Sequence, residues 1–275
     1  MRAFLLGAAV LALAACGSSD NPGDPNDPNN PADPTDPTDP TDPTDPPTPE
    51  EASRDSDELA TILAAHLRAE FPIQLLAASV SENVYPEGFS MTGMSGESGL
   101  EYNGTGAIGN LVFNFTYHCN DGSAAHTFVV CDGAAHHSHF KLTLTGSQAM
   151  GDIAMDDISR VVDWEIRDLT LDKARFRGPD SLSLRTSIAT EGELADYHVQ
   201  YDAIYEQVRY LPSQAFPTFG TIDFTVNTER TRGDDLRVFN SVARLTYGAA
   251  GTPTILDIDG IAYDVDLASG AVVRL

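Results

Sequence analysis

From Leu111 to the end of the chain, apolar residues recur at every second position, and this alternation restricts the fold more than any other feature. Leu111, Phe113, Phe115 and Tyr117 alternate with Val112, Asn114, Thr116 and His118. Phe140, Leu142 and Leu144 alternate with Lys141, Thr143 and Thr145, and Ile222, Phe224 and Val226 with Asp223 and Thr225. Side chains at period two point to opposite faces of a strand. One apolar face per strand predicts an antiparallel sheet that is half buried, not a parallel sheet covered on both sides. Residues 236–247 read as a further strand. Residues 255–258 and 261–267 flank Asp259-Gly260, a two-residue hairpin signal, and 271–275 form a last strand. The expected fold class is mainly β: an antiparallel meander of about eight to eleven strands with an N-terminal helical segment. A sandwich, a closed barrel and a curved sheet wrapped on the helix all fit that pattern.

Three stretches carry mixed signals. Val162, Trp164 and Ile166 share one parity, Leu169 and Leu171 the other, and Ala174 and Phe176 switch back. One strand with bulges near Asp168 and Asp172, or two strands joined by a tight turn, would keep all of them inward. In residues 194–211, Leu194, Tyr197, Tyr201, Ile204, Val208 and Leu211 repeat at helical spacing, with a Thr190/Glu193 capping box and Pro212 as a stop. Tyr197, Val199 and Tyr201 also alternate, and the β-branched and aromatic content favours a strand. Residues 85–110 hold seven glycines and read as loops with short edge strands. Ahead of them, Leu59, Ile62, Leu63, Leu67 and Phe71 fall at helical spacing. Ser56 or Asp57 can cap this helix and Pro72 can end it, with residues 73–80 as a second short helix. His66 lies on or beside the apolar stripe and reads as a packed or exposed helix histidine.

The N-terminal part excludes itself from any core. Residues 21–49 contain eleven of the seventeen prolines and an Asp-Pro-Thr repeat from Asp33 to Thr44. Proline fixes φ and removes an amide donor, so neither helix nor sheet is expected there, and like charges at every third residue extend the segment. Before it come Met1-Arg2, an apolar run from Ala3 to Ala14, and Leu13-Ala14-Ala15-Cys16 followed by Gly17-Ser18-Ser19. The run is shorter than the roughly 20 residues of a spanning helix, as in a secretory signal. These residues resemble the signal and lipobox of bacterial lipoproteins. The resemblance implies a signal peptide over 1–15, cleavage before Cys16, and lipid on the Cys16 thiol and amine. It further implies a membrane-tethered envelope protein, by the Gly and Ser after Cys16 an outer-membrane one. The domain reading is then signal 1–15, lipidated Cys16 with a disordered linker to 55, and a single β-rich domain over 56–275.

The chain carries a net charge of −25 with only two lysines. A surface this acidic repels phosphate backbones, so nucleic acid is not an expected partner. Cys119 and Cys131 remain as an even pair in an exported protein, and a disulfide is expected. Between His118 and His139 lie five of the seven histidines. His126, His137 and His139 are the candidate metal ligands, since His137-x-His139 on a strand shares one face. No spacing matches a known zinc set, and oxidation competes with thiolate ligation. Asp163 and Glu165 form a candidate carboxylate pair, more simply a solvated strand face. Gly93-Met94-Ser95-Gly96 starts like a nucleophile elbow but ends in Glu97. No other motif carries catalysis, and no cofactor is expected. The leading expectation is a non-enzymatic binding or structural domain, with an envelope protein, glycan or lipid as ligand. The alternatives are a metal-dependent enzyme built on the His118–His139 cluster, and a lipid carrier.

Overall fold

In the computed structural model the described residues are 47–69, 73–96, 99–123, 125, 127–132, 135–150, 153–169, 174–210, 216–249 and 252–275. The lipobox, Cys16, the Asp-Pro-Thr repeat and His126 lie outside them, as do Phe71, Pro72, Asp172, Leu211 and Pro212.

Two helices precede the sheet, α1 (Pro49–Ala69) and α2 (Ile73–Ser81). Helix α1 starts earlier than Ser56 or Asp57 would place it, because Thr48 and Glu51 form a capping box. Glu51 Oε2 accepts from the Thr48 amide at 2.9 Å, and the Glu51 amide donates to Thr48 Oγ1 at 3.3 Å. Pro49 then occupies the first helical position, where its missing amide costs nothing. The folded part therefore reaches back beyond Ser56 into the segment expected to be linker.

The strands follow as β1 (Phe89–Ser95), β2 (Glu101–Ile108), β3 (Leu111–Asn120), β4 (Phe128–Val129), β5 (His137–Met150), β6 (Ile153–Arg167) and β7 (Ala174–Thr190). Then come β8 (Glu193–Tyr210), β9 (Phe219–Arg232), β10 (Asp235–Thr246), β11 (Thr254–Ile258), β12 (Ile261–Asp266) and β13 (Ala271–Arg274). All pairings are antiparallel, and each strand lies beside its predecessor, except that β5 pairs with β3 and the short β4 hangs off β3. Among the described residues the sheet has thirteen strands, more than expected, and is not closed. Residues 162–167 and 174–176 belong to two separate strands, as the second reading had it, while residues 170–173, where its tight turn would fall, lie outside the described residues; Asp168 has a φ of 64°. Residues 194–210 are strand, the alternation having prevailed over the helical spacing. The Asp259-Gly260 turn has positive φ at both positions, 52° and 87°, as a tight hairpin turn of this kind requires.

The sheet bends around the helices. Within one turn of α1, Glu58 reaches Tyr197 on β8 and Arg232 on β9, while Asp57 meets Tyr263 on β12 and Arg274 on β13. Five strand spacings separate β8 from β13, about 24 Å if flat. A helix with its side chains is only about 10–12 Å across. Strands that far apart can both touch it only if the sheet curls. Of the three expected architectures, this is the curved sheet.

The alternation now has a physical meaning. Phe113, Phe115, Tyr117, Phe140, Trp164, Phe176, Tyr205 and Phe224 face the helices and are buried, together with Leu59, Ile62, Leu63 and Leu76. The Trp164 ring packs against Tyr205 and Phe176 at 4.7 and 5.5 Å.

Candidate functional site

The inner face is not wholly apolar. Arg160 on β6 and Asp180 on β7 form a bidentate ion pair with both side chains almost completely buried, and Arg160 also donates to the Tyr205 hydroxyl at 3.1 Å. His66 of α1 closes this group, its Nε2 lying 3.1 Å from the Tyr201 hydroxyl. Of the two readings of His66, packed or exposed, the packed one is found. About two to three helical turns towards the N-terminus, Asp55 and Glu58 meet Arg230, Arg232 and Arg237. Burial raises the Asp55 carboxyl above its ordinary range, against the pull of Arg230 and Arg237. These ion pairs join α1 to strands β9 and β10, so they fix the helix on the sheet.

The solvent face differs. Outward positions run in cross-strand rows set by the register. One row is Thr145, Ser159, Ser183, Gln200, Asn227 and Asn240, from β5 to β10. All six are neutral hydrogen-bonding side chains in a chain of net charge −25. Five of them, Ser159 to Asn240, line a shallow open depression of about 410 Å³. A second depression of about 560 Å³ adjoins it at Val161 and runs towards β2, past Asn114, Thr116, Lys141 and Asp163.

At the rim of the first depression three side chains from neighbouring strands come together. Ser183 Oγ on β7 lies 3.1 Å from His198 Nε2 on β8, and His198 Nδ1 lies 3.7 Å from Glu229 Oε2 on β9. His198 is 20% exposed and Glu229 52%. Gln200 stands directly opposite Ser183 in the β7–β8 register. Nothing in the sequence announces this group. Its members are 15 and 31 residues apart, and only the register places them on one patch.

Cys119 and Cys131 form the expected disulfide, with Cα atoms 5.2 Å apart. Cys119 occupies an inward position of β3, and both sulfur-bearing residues are buried. The bridge ties the end of β3 to the part of the β3–β5 connection that follows β4. His118 and His139 are cross-strand neighbours on the outer face, with ring centroids 5.2 Å apart. Burial and the neighbouring His139 lower the His118 pKa. His139 Nε2 lies 2.6 Å from Asp163, which also meets Lys141 at 3.3 Å. His137 sits on the same face of β5, opposite Asn120 and Arg167. Among the described residues no three His, Cys, Asp or Glu side chains come close enough to hold a metal ion. The candidate carboxylates part company, Asp163 towards His139 and Lys141, and Glu165 towards Arg167 at 3.0 Å. Ser95 lies within β1 and bonds to Glu101 at 2.9 Å, so it is not on a strand-to-helix elbow.

No family model, no curated protein and no solved structure matches this chain.

Proposed function

We propose that this chain is a lipid-anchored envelope protein that carries a binding domain on an acidic tether. The lipobox ending at Cys16 supports the anchor. The Asp-Pro-Thr repeat supports a tether: residues 17–48 could span about 100 Å in a polyproline-like conformation. The outer face of the sheet is the proposed binding surface, and the row from Thr145 to Asn240 carries that reading. Its side chains offer donors and acceptors without net charge, which suits a neutral, polyhydroxylated ligand such as a glycan. An anion finds no cation in the row, and a lipid finds no enclosed apolar wall. Strands spaced about 4.8 Å apart present one such side chain per step along the row, close to the repeat of an extended sugar chain.

Two measurements test the two parts. Cys16→Ser should abolish labelling by a palmitate analogue and move the protein out of the membrane fraction; unchanged fractionation removes the anchor. Calorimetric titration of the full chain with xylohexaose, cellohexaose and chitohexaose should give binding that Gln200→Ala together with Asn227→Ala weakens about tenfold or more, the loss of two or so hydrogen bonds. Binding that ignores this double substitution places the ligand elsewhere.

A further inference from the structure

We propose that Ser183, His198 and Glu229 form a nucleophilic triad that hydrolyses short acyl esters carried by a neutral, polyhydroxylated molecule. The inference rests on the reading of the solvent-face depression as the binding surface, and adds an activity to it.

The argument is geometric. A serine hydroxyl becomes a nucleophile when a base within hydrogen-bond reach takes its proton and a third group orients that base. Ser183 Oγ and His198 Nε2 are at 3.1 Å, inside that reach, and the other ring nitrogen faces a carboxylate oxygen at 3.7 Å. The two nitrogens thus have separate partners, the division of roles that defines a serine–histidine–carboxylate triad whatever the fold or chain order. All three side chains are anchored on strands within an extended antiparallel ladder, so the rigid register holds their spacing. Ser183 lines the depression, and its cross-strand neighbour Gln200 lines it too. A Gln amide is among the donors that stabilise the oxyanion of acyl transfer.

The chemistry closes without any further reagent. Ser183 Oγ attacks the ester carbonyl carbon while its proton passes to His198 Nε2. The carbonyl electron pair moves to oxygen, where the Gln200 amide donates to it. The tetrahedral centre collapses, the bond from carbon to the alcohol oxygen breaks, and the alcohol leaves with the proton from His198. Water then attacks acyl-Ser183, giving a proton to His198, and the carboxylic acid departs as Ser183 is reprotonated. Glu229 touches no reacting atom and acts as a positioning residue, holding the ring and stabilising its protonated form. The substrate class follows from the walls. An open depression of about 410 Å³ has no deep apolar channel for a long acyl chain, while hydroxyl and amide side chains suit the alcohol half of an acetylated sugar.

The test uses the purified full chain, p-nitrophenyl acetate, acetylated xylo-oligosaccharides and a fluorophosphonate. One fluorophosphonate adduct should form, mapped by peptide mass to Ser183, with acetate released from both esters. Ser183→Ala and His198→Ala should lose the adduct and about 10³-fold or more of turnover. Glu229→Gln should lower kcat about 10–100-fold with KM little changed, a split that a merely structural carboxylate would not produce. Ser187→Ala, which alters a serine bonded to Asp196 on the same face, should keep both. An adduct or turnover that survives Ser183→Ala, or no adduct in the unaltered chain, overturns the triad. Xylohexaose binding that persists in Ser183→Ala separates that failure from failure of the binding surface.

Discussion

The two faces of this sheet are built from the same strands, yet they use charge in opposite ways. Inside, Arg160 and Asp180 are sealed under α1 beside Tyr205 and His66. Outside, Arg244 grips Asp223 through two hydrogen bonds at 2.5 and 2.8 Å, but with side chains 58% and 38% exposed. The contacts look alike, and their energetic meaning does not. A charge left alone in the interior has no water to fall back on, while a charge left alone outside is simply solvated.

The largest effect should therefore come from Asp180→Ala. It leaves the Arg160 charge buried without its carboxylate and should cost about 3–5 kcal/mol. Calorimetry should show the unfolding midpoint lower by roughly 10 °C. Asp223→Ala, the matching change outside, should cost less than about 1 kcal/mol. Equal losses at the two sites would break the comparison.

Next in size is the disulfide, which belongs to the inner face through Cys119. Its closed loop of about 13 residues corresponds to roughly 3 kcal/mol by the chain-entropy estimate. Denaturant unfolding with and without reductant measures it, and intact mass before and after reduction should differ by two hydrogens. Two maleimide-reactive thiols in the folded protein would remove the bridge.

Tyr197→Phe comes third. It deletes the hydroxyl that donates to Glu58 beneath α1 while Arg232 stays within 2.6 Å of that carboxylate. A loss of about 1–2 kcal/mol in chemical denaturation is expected. A loss near zero would show that Arg232 and Arg54 satisfy Glu58 without the hydroxyl.

The smallest effect is a matter of sign. Hydrogen bonds from Arg244 hold the Asp223 carboxyl below its ordinary value of 3.8, whereas burial lifts Asp55 above the same 3.8. Asp223 thus adds stability that is complete above pH 3.8 and lost as pH falls through its lowered folded value. Asp55 does the reverse: its contribution is complete below pH 3.8 and lost as pH rises through its raised folded value. Carboxyl chemical shifts followed by NMR should place the two titrations on opposite sides of 3.8. Both on the same side would contradict the assignment of burial as the dominant influence on Asp55.

The contrast also explains what could be read from the residues. The alternation at Phe113, Phe115 and Tyr117, or at Ile222, Phe224 and Val226, is a local property of a strand with one buried face. It predicted the antiparallel meander and carried residues 194–210 to strand. Closure of the sheet was not legible, because it depends on how far thirteen strands coil around α1, and no local pattern records a curl. The start of α1 was hidden by Pro47 and Pro49, which resemble the repeat before them and conceal the Thr48/Glu51 box. Arg160 and Asp180 sit at inward positions where the pattern calls for apolar residues, and nothing local to either residue points to the other as its partner. The outer row was invisible for another reason. Ser, Thr, Gln and Asn at outward positions are what any solvated strand shows, and Ser183, His198 and Glu229 become neighbours only once two registers are fixed.

The clasp between the first helix and the last strands has a mechanical consequence. Asp57 reaches Tyr263 and Arg274, and Arg274 also donates to Ser53. Tension arriving along the residues before Pro49 enters the fold at α1, the element that the whole curl encloses. To draw α1 out, that pull must break the ionic contacts of Asp55 and Glu58 together with those of Ser53 and Asp57, loading several strands at once rather than peeling them singly. With the proposed tether attached there, the load would enter the domain through its centre.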